Sequence, residues 1–533
     1  MPQKLPCSSS PELAASRRAA WILGDQLSLR NSALLSLDPA RDIVVMIESL
    51  EHARQLQHHK AKLYLCFSAM RHFREELRTK GYRVCYQELQ AEKNFLSGLR
   101  ETIDAYGISE LYVMEPHEMA TVRFAQSLPE KLGISVRLTK NSMFLTERTE
   151  FIREHKGKKH LVMENYYRKM RRALGVLLDE KGAPVGGQWN FDKDNRQPLK
   201  SRMVLPKIYQ PQKDAIDRAV IEDVEKFFPH NIGTLSEVHL PTTRAEAERF
   251  LEDFIAHRLE NFGKYEDAML KEELVLFHSL LSPLLNIGLL DVMQVVRRVE
   301  EEYRQGRAPL NSVEGFIRQL IGWREFIYGC YWLKMSEGDY HEENYFEHTR
   351  ALPDFFWTAE AKFNGRTMNC LSTAISKVIK HGYTHHIERL MIIGNFALLA
   401  GVRPRQINQW FWEFYVDAYD WVVSPNVIGM SQFADGGFVA TKPYCASANY
   451  IDKMSDYCKT CDFNKAEKVG ESACPFNYLY WNFFMRNEKK LRRNSRVAMA
   501  YLALDKKTAA EKSAIERSSA QFLDALTPNP YYV

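Results

Sequence analysis

Cysteine is scarce in this chain: nine in 533 residues, too few and odd in number for the disulfide framework of a secreted scaffold. Long apolar runs are missing too. The longest nearly unbroken one, residues 390–402, is too short to span a bilayer and contains Gly394 and Asn395. Residues 1–18 hold no hydrophobic segment of signal-peptide type. The Gly-x-Gly-x-x-Gly fingerprint is absent, so a nicotinamide cofactor is not indicated. These absences predict a soluble protein of a reducing compartment, with no membrane partner.

What is present is ordinary globular composition, 45% apolar and 26% charged, enough for two or three domains with sizeable cores. The net charge of +5 is small but unevenly placed. Residues 153–172, REHKGKKHLVMENYYRKMRR, carry eight Lys/Arg against two Glu, and residues 486–496 carry six against one. The rest of the chain is therefore net acidic. Two concentrated basic stretches, the first interleaved with Tyr166 and Tyr167, suit a phosphate backbone, with Lys169, Arg171 and Arg172 as candidate contacts. Solvated helix faces would look the same from charge alone.

From 19 to 140, strand-length apolar runs (AAWILGDQL, DIVVMIESL, YRVCYQEL, ELYVMEP, ISVRLTKN) alternate with stretches of helical period. This pattern predicts a doubly wound parallel sheet. Ligands of such sheets sit beyond the strand carboxyl ends, which singles out Gly24, Asp25, Gln26, Glu48 and Glu115. Residues 141–242 are rich in turn signals and read as a connector. From 243 to 505 nearly every segment has helical apolar spacing, and 506–533 reads as a C-terminal helix and tail. The fold class is an α/β N-terminal domain followed by a large all-α domain.

Three cysteines lie close together in DYCKTCDFNKAEKVGESACPFN: Cys458, Cys461 and Cys474. Zinc and an iron–sulfur cluster fit that spacing equally, with Pro475 after Cys474 a weak pointer to a cluster. A redox dithiol fits less well, since the pair is not set between a strand and a helix of an α/β unit. The fourth ligand is either Cys445, placed symmetrically, or Cys370 in TMNC. In HSLLSPLLNIGLL, Ser279 and Ser282 flank Leu280 and Leu281 at a helix start. Hydroxyls and backbone N–H groups there suit a pyrophosphate, although Ser282 before Pro283 is also an ordinary N-cap arrangement.

HSLLSP followed by GWREF resembles the flavin-binding helical half of the photolyase/cryptochrome superfamily. WILGDQL, FSAMRHF, HHIERLMIIGNFALLAG and PNVIGMSQFADGG are similar to one branch, the bacterial iron–sulfur cryptochromes and photolyases. The repair members of that branch are the prokaryotic (6-4) photolyases. The resemblance covers residues 19–505, making 19–140 an antenna-binding domain and 243–505 the FAD- and cluster-binding catalytic domain. It implies a 4Fe-4S cluster on Cys370, Cys458, Cys461 and Cys474, with Cys445 a bystander. It implies FAD held by Ser279, Leu280, Leu281, Ser282, Trp323, Arg324, Asn395, Asp417 and Asn426. The implied antenna is 6,7-dimethyl-8-ribityllumazine, with Glu48 a polar contact. His386 takes the role of proton donor to a lesion with His385 beside it, since moving a hydroxyl between bases requires a proton given and retrieved. Trp357 and Trp410 match electron-relay positions, while Phe411 stands where some relatives carry Tyr and residues 359–365 make a longer connector. The implied activity is light-driven repair of (6-4) photoproducts in damaged duplex DNA, by a monomer in the bacterial cytoplasm at the nucleoid. A blue-light receptor with the same chromophores is the alternative.

Overall fold

The computed structural model describes residues 18–199 and 203–532. Its chain divides into two compact units that are not contiguous in sequence. The first takes the residues up to Glu147 together with Tyr209–Asp253 and Leu281–Val295. Arg148–Ile208, Phe254–Leu280 and Val296–Val533 form the second.

The first unit is built on five parallel strands: β1 (Arg18–Trp21), β2 (Ile43–Ile47), β3 (Arg83–Gln87), β4 (Glu110–Met114) and β5 (Ser135–Thr139). Their order is β3-β2-β1-β4-β5, the doubly wound arrangement. β2, IVVMI, is buried along its whole length, as a strand covered on both faces must be. Helices Phe95–Tyr106 and Met119–Leu132 supply Leu99 and Leu128 to a core with Trp21, Val45, Ile47, Leu111 and Val113.

The expected 141–242 connector differs in the structure. It contains helices Arg148–His155, Met163–Leu174 and Ala215–Phe227, and its halves belong to different units. The reason for the second half is local. Asp223 on Ala215–Phe227 pairs with Arg71 of helix Lys60–Thr79 at 2.6 Å, and Arg71 also grips Glu48 at the end of β2. That helix is thereby fixed to the sheet unit.

Among the described residues, the second unit is mainly helices and loops, with a two-stranded hairpin at Lys362–Phe363 and Arg366–Thr367. Asn364 and Gly365 turn it with φ of 48° and 76°, the paired left-handed geometry of a tight hairpin turn. The long 359–365 connector is thus an ordered hairpin, and Phe363 packs on Phe522 at 4.5 Å. Among the described residues, no helix is long and apolar enough to cross a membrane.

Candidate functional site

Three stretches of the helical unit are π-helical rather than α-helical: Arg318–Arg324, Arg389–Gly394 and Pro425–Ser431. Such turns are rare and concentrate at functional sites, because the widened ring re-aims side chains and backbone. Each coincides with residues singled out in the sequence: Trp323 and Arg324 end the first, Asn395 follows the second, and Asn426 lies in the third. The second and third touch. A Cβ on Gly394 would collide with Ser431 Oγ, and Gln432 Nε2 donates to Gly394 O at 3.0 Å. Gln432 Oε1, buried beside them, has no hydrogen-bond partner.

Polar side chains around these turns are held firmly. Asp417 accepts from Arg389 Nη1 at 2.9 Å, and Arg389 also donates to Thr384 O and lies 4.2 Å over the Tyr415 ring. Arg324 donates to Glu325 at 2.7 Å and sits over Trp421. Asn426 Nδ2 donates to Val422 O at 2.7 Å. Asn395 clamps Ala446 with two backbone hydrogen bonds of 3.0 and 3.1 Å, so its amide orders that loop rather than reaching outward. Ahead of Ser279, Leu276 has φ 52°, and Leu280 has φ 61°. Left-handed geometry is costly for leucine and clusters at ligand clamps. Leu281 is buried, and Ser282 opens the helix Ser282–Asn286 in the α/β unit.

The two histidines part company, as helical geometry requires. His385 is buried and stacks on His278, 4.6 Å between centroids at 10°. Neither of its ring nitrogens has a hydrogen-bond partner, and Nε2 lies 3.7 Å from Glu388 Oε2. Glu388 is itself buried and accepts from Lys377 Nζ at 2.7 Å and from the Tyr457 hydroxyl. His278, Lys377, Glu388 and Tyr457 were not singled out in the sequence; the only hint was the i, i+3 spacing of His385 and Glu388. His386, by contrast, keeps solvent-accessible surface although many protein atoms surround it. Burial, Arg389 and Arg196 push its pKa down to about 4. Arg196 acts on Tyr444 and Tyr450 as well, and Tyr450 approaches Asp267 at 3.4 Å. Burial and Asp267 raise Glu266 to about 7.

Cys370, Cys458, Cys461 and Cys474 come together. Cys370 is raised by burial and then by the charges of Cys474, Cys461 and Cys458, and Cys474 by burial and the charges of Cys461 and Cys458. Cys445 takes no part; burial sets its pKa, opposed only by Lys442. Asn369 holds the site shut by donating to Tyr457 O at 2.9 Å and Thr460 Oγ1 at 3.1 Å. Asn477 does the same on the far side with Lys465 O and Glu467 O.

Other expectations fare differently. Trp410 is buried, donating to Phe356 O at 3.2 Å, while Trp357 is half-buried; Phe414 contacts both rings. Lys169 and Arg172 are exposed on helix Met163–Leu174, Lys169 paired with Glu154 and Arg172 over Trp189 at 4.5 Å. Arg171 is a correction. It is fully buried and its guanidinium donates to Val176 O, Leu177 O and Trp189 O, so it cannot meet a phosphate. Glu48 is also a correction. Arg71 grips both its oxygens, Tyr86 donates to one and Leu89 N to the other. All four acceptor positions of the carboxylate are filled, leaving none for a bound molecule.

A model of the deoxyribodipyrimidine photo-lyase-related protein family matches residues 20–240. The chain is 46% identical over 510 residues to the (6-4) photolyase of Agrobacterium fabrum, covering 95% of this chain and 99% of that one. Uncharacterized protein R855 of Acanthamoeba polyphaga mimivirus is 37% identical over 110 residues, 21% of this chain and 82% of its own length. Among solved structures, a bacterial class III photolyase from Agrobacterium tumefaciens aligns with a TM-score of 0.55 at 18% identity, covering 97% and 99% of the two chains. A cryptochrome from Synechocystis aligns with a TM-score of 0.55 at 12% identity, covering 94% of each. Both share the fold.

Proposed function

Because the chain belongs to the photolyase/cryptochrome family, in the branch of the bacterial (6-4) photolyases, we propose that it repairs (6-4) pyrimidine–pyrimidone photoproducts in duplex DNA under blue light. The observation that carries the reading is the pair of histidines. His386 is exposed, and His385 is buried against Glu388 and His278. A flipped lesion that meets His386 brings a phosphodiester charge toward it, which favours the protonated imidazole and makes it a competent acid. Arg196 and Arg389 supply countercharge to the same anion.

The residues fit FAD: three π turns, the anchored pair of Arg389 and Asp417, and the buried acceptor Gln432 Oε1 left over for a donor on a bound group. When bound and reduced, photoexcited FAD supplies an electron to the lesion. Arg389 and Asp417 fix the polar edge of that site, Trp323 and Asn426 its half-buried walls, and Ser279 supplies a hydroxyl.

The four thiols suit a metal centre, and the likeness to the bacterial iron–sulfur photolyases supports reading it as a 4Fe-4S cluster. Iron content should collapse in Cys370→Ser and persist in Cys445→Ser, as loss of a ligand would require; the reverse would return Cys445 to the site. The likeness to the (6-4) photolyase supports a lumazine antenna as well, without Glu48 as its contact.

Repair of a defined (6-4) oligonucleotide under blue light tests the function. His386→Ala should bind FAD normally and lose repair by roughly 10²–10⁴-fold, the range for a lost general acid–base. Wild-type protein whose flavin cycles normally but repairs nothing would support a blue-light receptor instead.

A further inference from the structure

We propose that Tyr532 is the terminal electron donor of the relay through Trp410 and Trp357, with Glu413 as the acceptor of its proton. The proposal rests on the relay reading of those two tryptophans.

One helix, Pro404–Phe414, arranges the path. Trp410 and Phe414, four residues apart, share a face and stack at 5.0 Å. Phe414 meets Trp357 edge-on at 6.0 Å, and Trp357 meets Tyr532 at 5.1 Å and 66°. The contacts therefore run from a fully buried indole to a partly exposed phenol. Phenylalanine is too hard to oxidise to hold the charge, so the stations are the two indoles and the phenol.

Glu413 lies on the same helix, and its role is what distinguishes Tyr532 from a packing residue. The Tyr532 hydroxyl donates to Glu413 Oε2 at 2.6 Å, within reach for direct proton transfer. Gln409 Nε2 holds the other oxygen at 2.9 Å, and the carboxylate is buried. Oxidising a phenol makes its proton strongly acidic, so a poised carboxylate lets electron and proton leave together. Once the relay has passed an electron to a photoexcited oxidised flavin, Trp357 is one electron short. Tyr532 gives Trp357 that electron and gives Glu413 its hydroxyl proton. The products are a neutral Trp357, a neutral phenoxyl radical at Tyr532 and a carboxylic acid at Glu413.

The tail is fixed tightly enough to keep this geometry. Asp354 N donates to Thr527 O and Asn529 N to Leu352 O, each at 2.9 Å, and Gln406 Nε2 donates to Tyr532 O. The first two bind the tail to the segment that leads into Trp357, and the third binds it to the helix that carries Trp410 and Glu413. The adjacent Tyr531 is 71% exposed and provides an internal control.

Flavin-loaded, oxidised protein is flashed without DNA, and radicals are identified by transient absorption and by electron paramagnetic resonance on protein carrying ring-deuterated tyrosine. A neutral tyrosyl radical is expected in the wild type, lost in Tyr532→Phe and kept in Tyr531→Phe. Glu413→Gln should slow its formation and leave the Trp357 radical longer-lived. Trp357→Phe tests the relay separately: unchanged flavin photoreduction there removes the relay and Tyr532 with it. Photoreduction that depends on Trp357 but gives no tyrosyl radical, or one that survives Tyr532→Phe, overturns the Tyr532 assignment alone and leaves the tail a structural tether.

Discussion

At the scale of single residues, environment rather than residue type decides what each charged group does. His386 and His341 show the contrast. His386 is pushed down to about 4 by desolvation first and then by Arg389 and Arg196, whereas His341 bridges Asp420 at 2.7 Å and Asp339 at 2.8 Å. Burial works against the His341 charge, yet the two carboxylates raise it to about 9. The unfolded value is about 6.5. A group raised on folding contributes stability in full below its unfolded pKa and loses it as pH rises through the folded one. The melting-temperature gap between wild type and His341→Asn should therefore be widest below about pH 6.5 and close above about pH 9. A gap independent of pH would mean that His341 acts through packing on Trp412 and not through charge.

Among elements, the strands were readable and the π turns were not. All five strands fall in the short apolar runs of the sequence, and the fully buried β2, IVVMI, is uninterrupted because it is covered on both faces, whereas the edge strands RVCYQ and SVRLT carry polar residues. The Asn364 and Gly365 turn was equally open to reading, since that dipeptide is the strongest hairpin signal, but its short flanks hid it in a connector. A π turn changes helical period by one residue over a single turn, too briefly for any apolar pattern to register. Family motifs marked those stretches, while the reason for their glycines is tertiary. Gly394→Ala should force its Cβ against Ser431 Oγ, costing about 1–3 kcal/mol as overpacking does and lowering flavin content. Adding Ser431→Gly should recover much of the loss, the signature of coupled neighbours in a double-mutant cycle. Additive losses would show that the two turns do not press on each other there.

For the whole molecule, the question is how much of the basic charge remains available to a polyanion. The sequence shows where Lys and Arg lie but not which are spent internally, because some partners are distant in the chain and others are backbone carbonyls that no residue type marks. Arg486 donates to Leu399 O, Lys490 pairs with Glu347, and Arg492 pairs with Glu488 and Asp505. In the other stretch, Arg168 pairs with Glu164 and Arg171 is buried on three carbonyls. Each phosphate contact adds about one unit to the slope of log affinity against log salt. Lys169 and Arg172 are exposed, and the ion pair of Lys169 with Glu154 is weak enough at a surface to exchange for a phosphate. Replacing both with Gln should weaken binding to lesion-bearing and undamaged duplex alike and flatten the slope by up to about two units. Arg171→Ala should leave the slope unchanged and lower the melting temperature, since three buried carbonyls lose their donor at about 1–3 kcal/mol each at most. Titrations of both variants at several salt concentrations separate the roles. A flattened slope for Arg171→Ala in a protein that melts normally would place that guanidinium at the surface, and an unchanged slope for the Lys169 and Arg172 variant would move the phosphate contacts to another part of the helical unit.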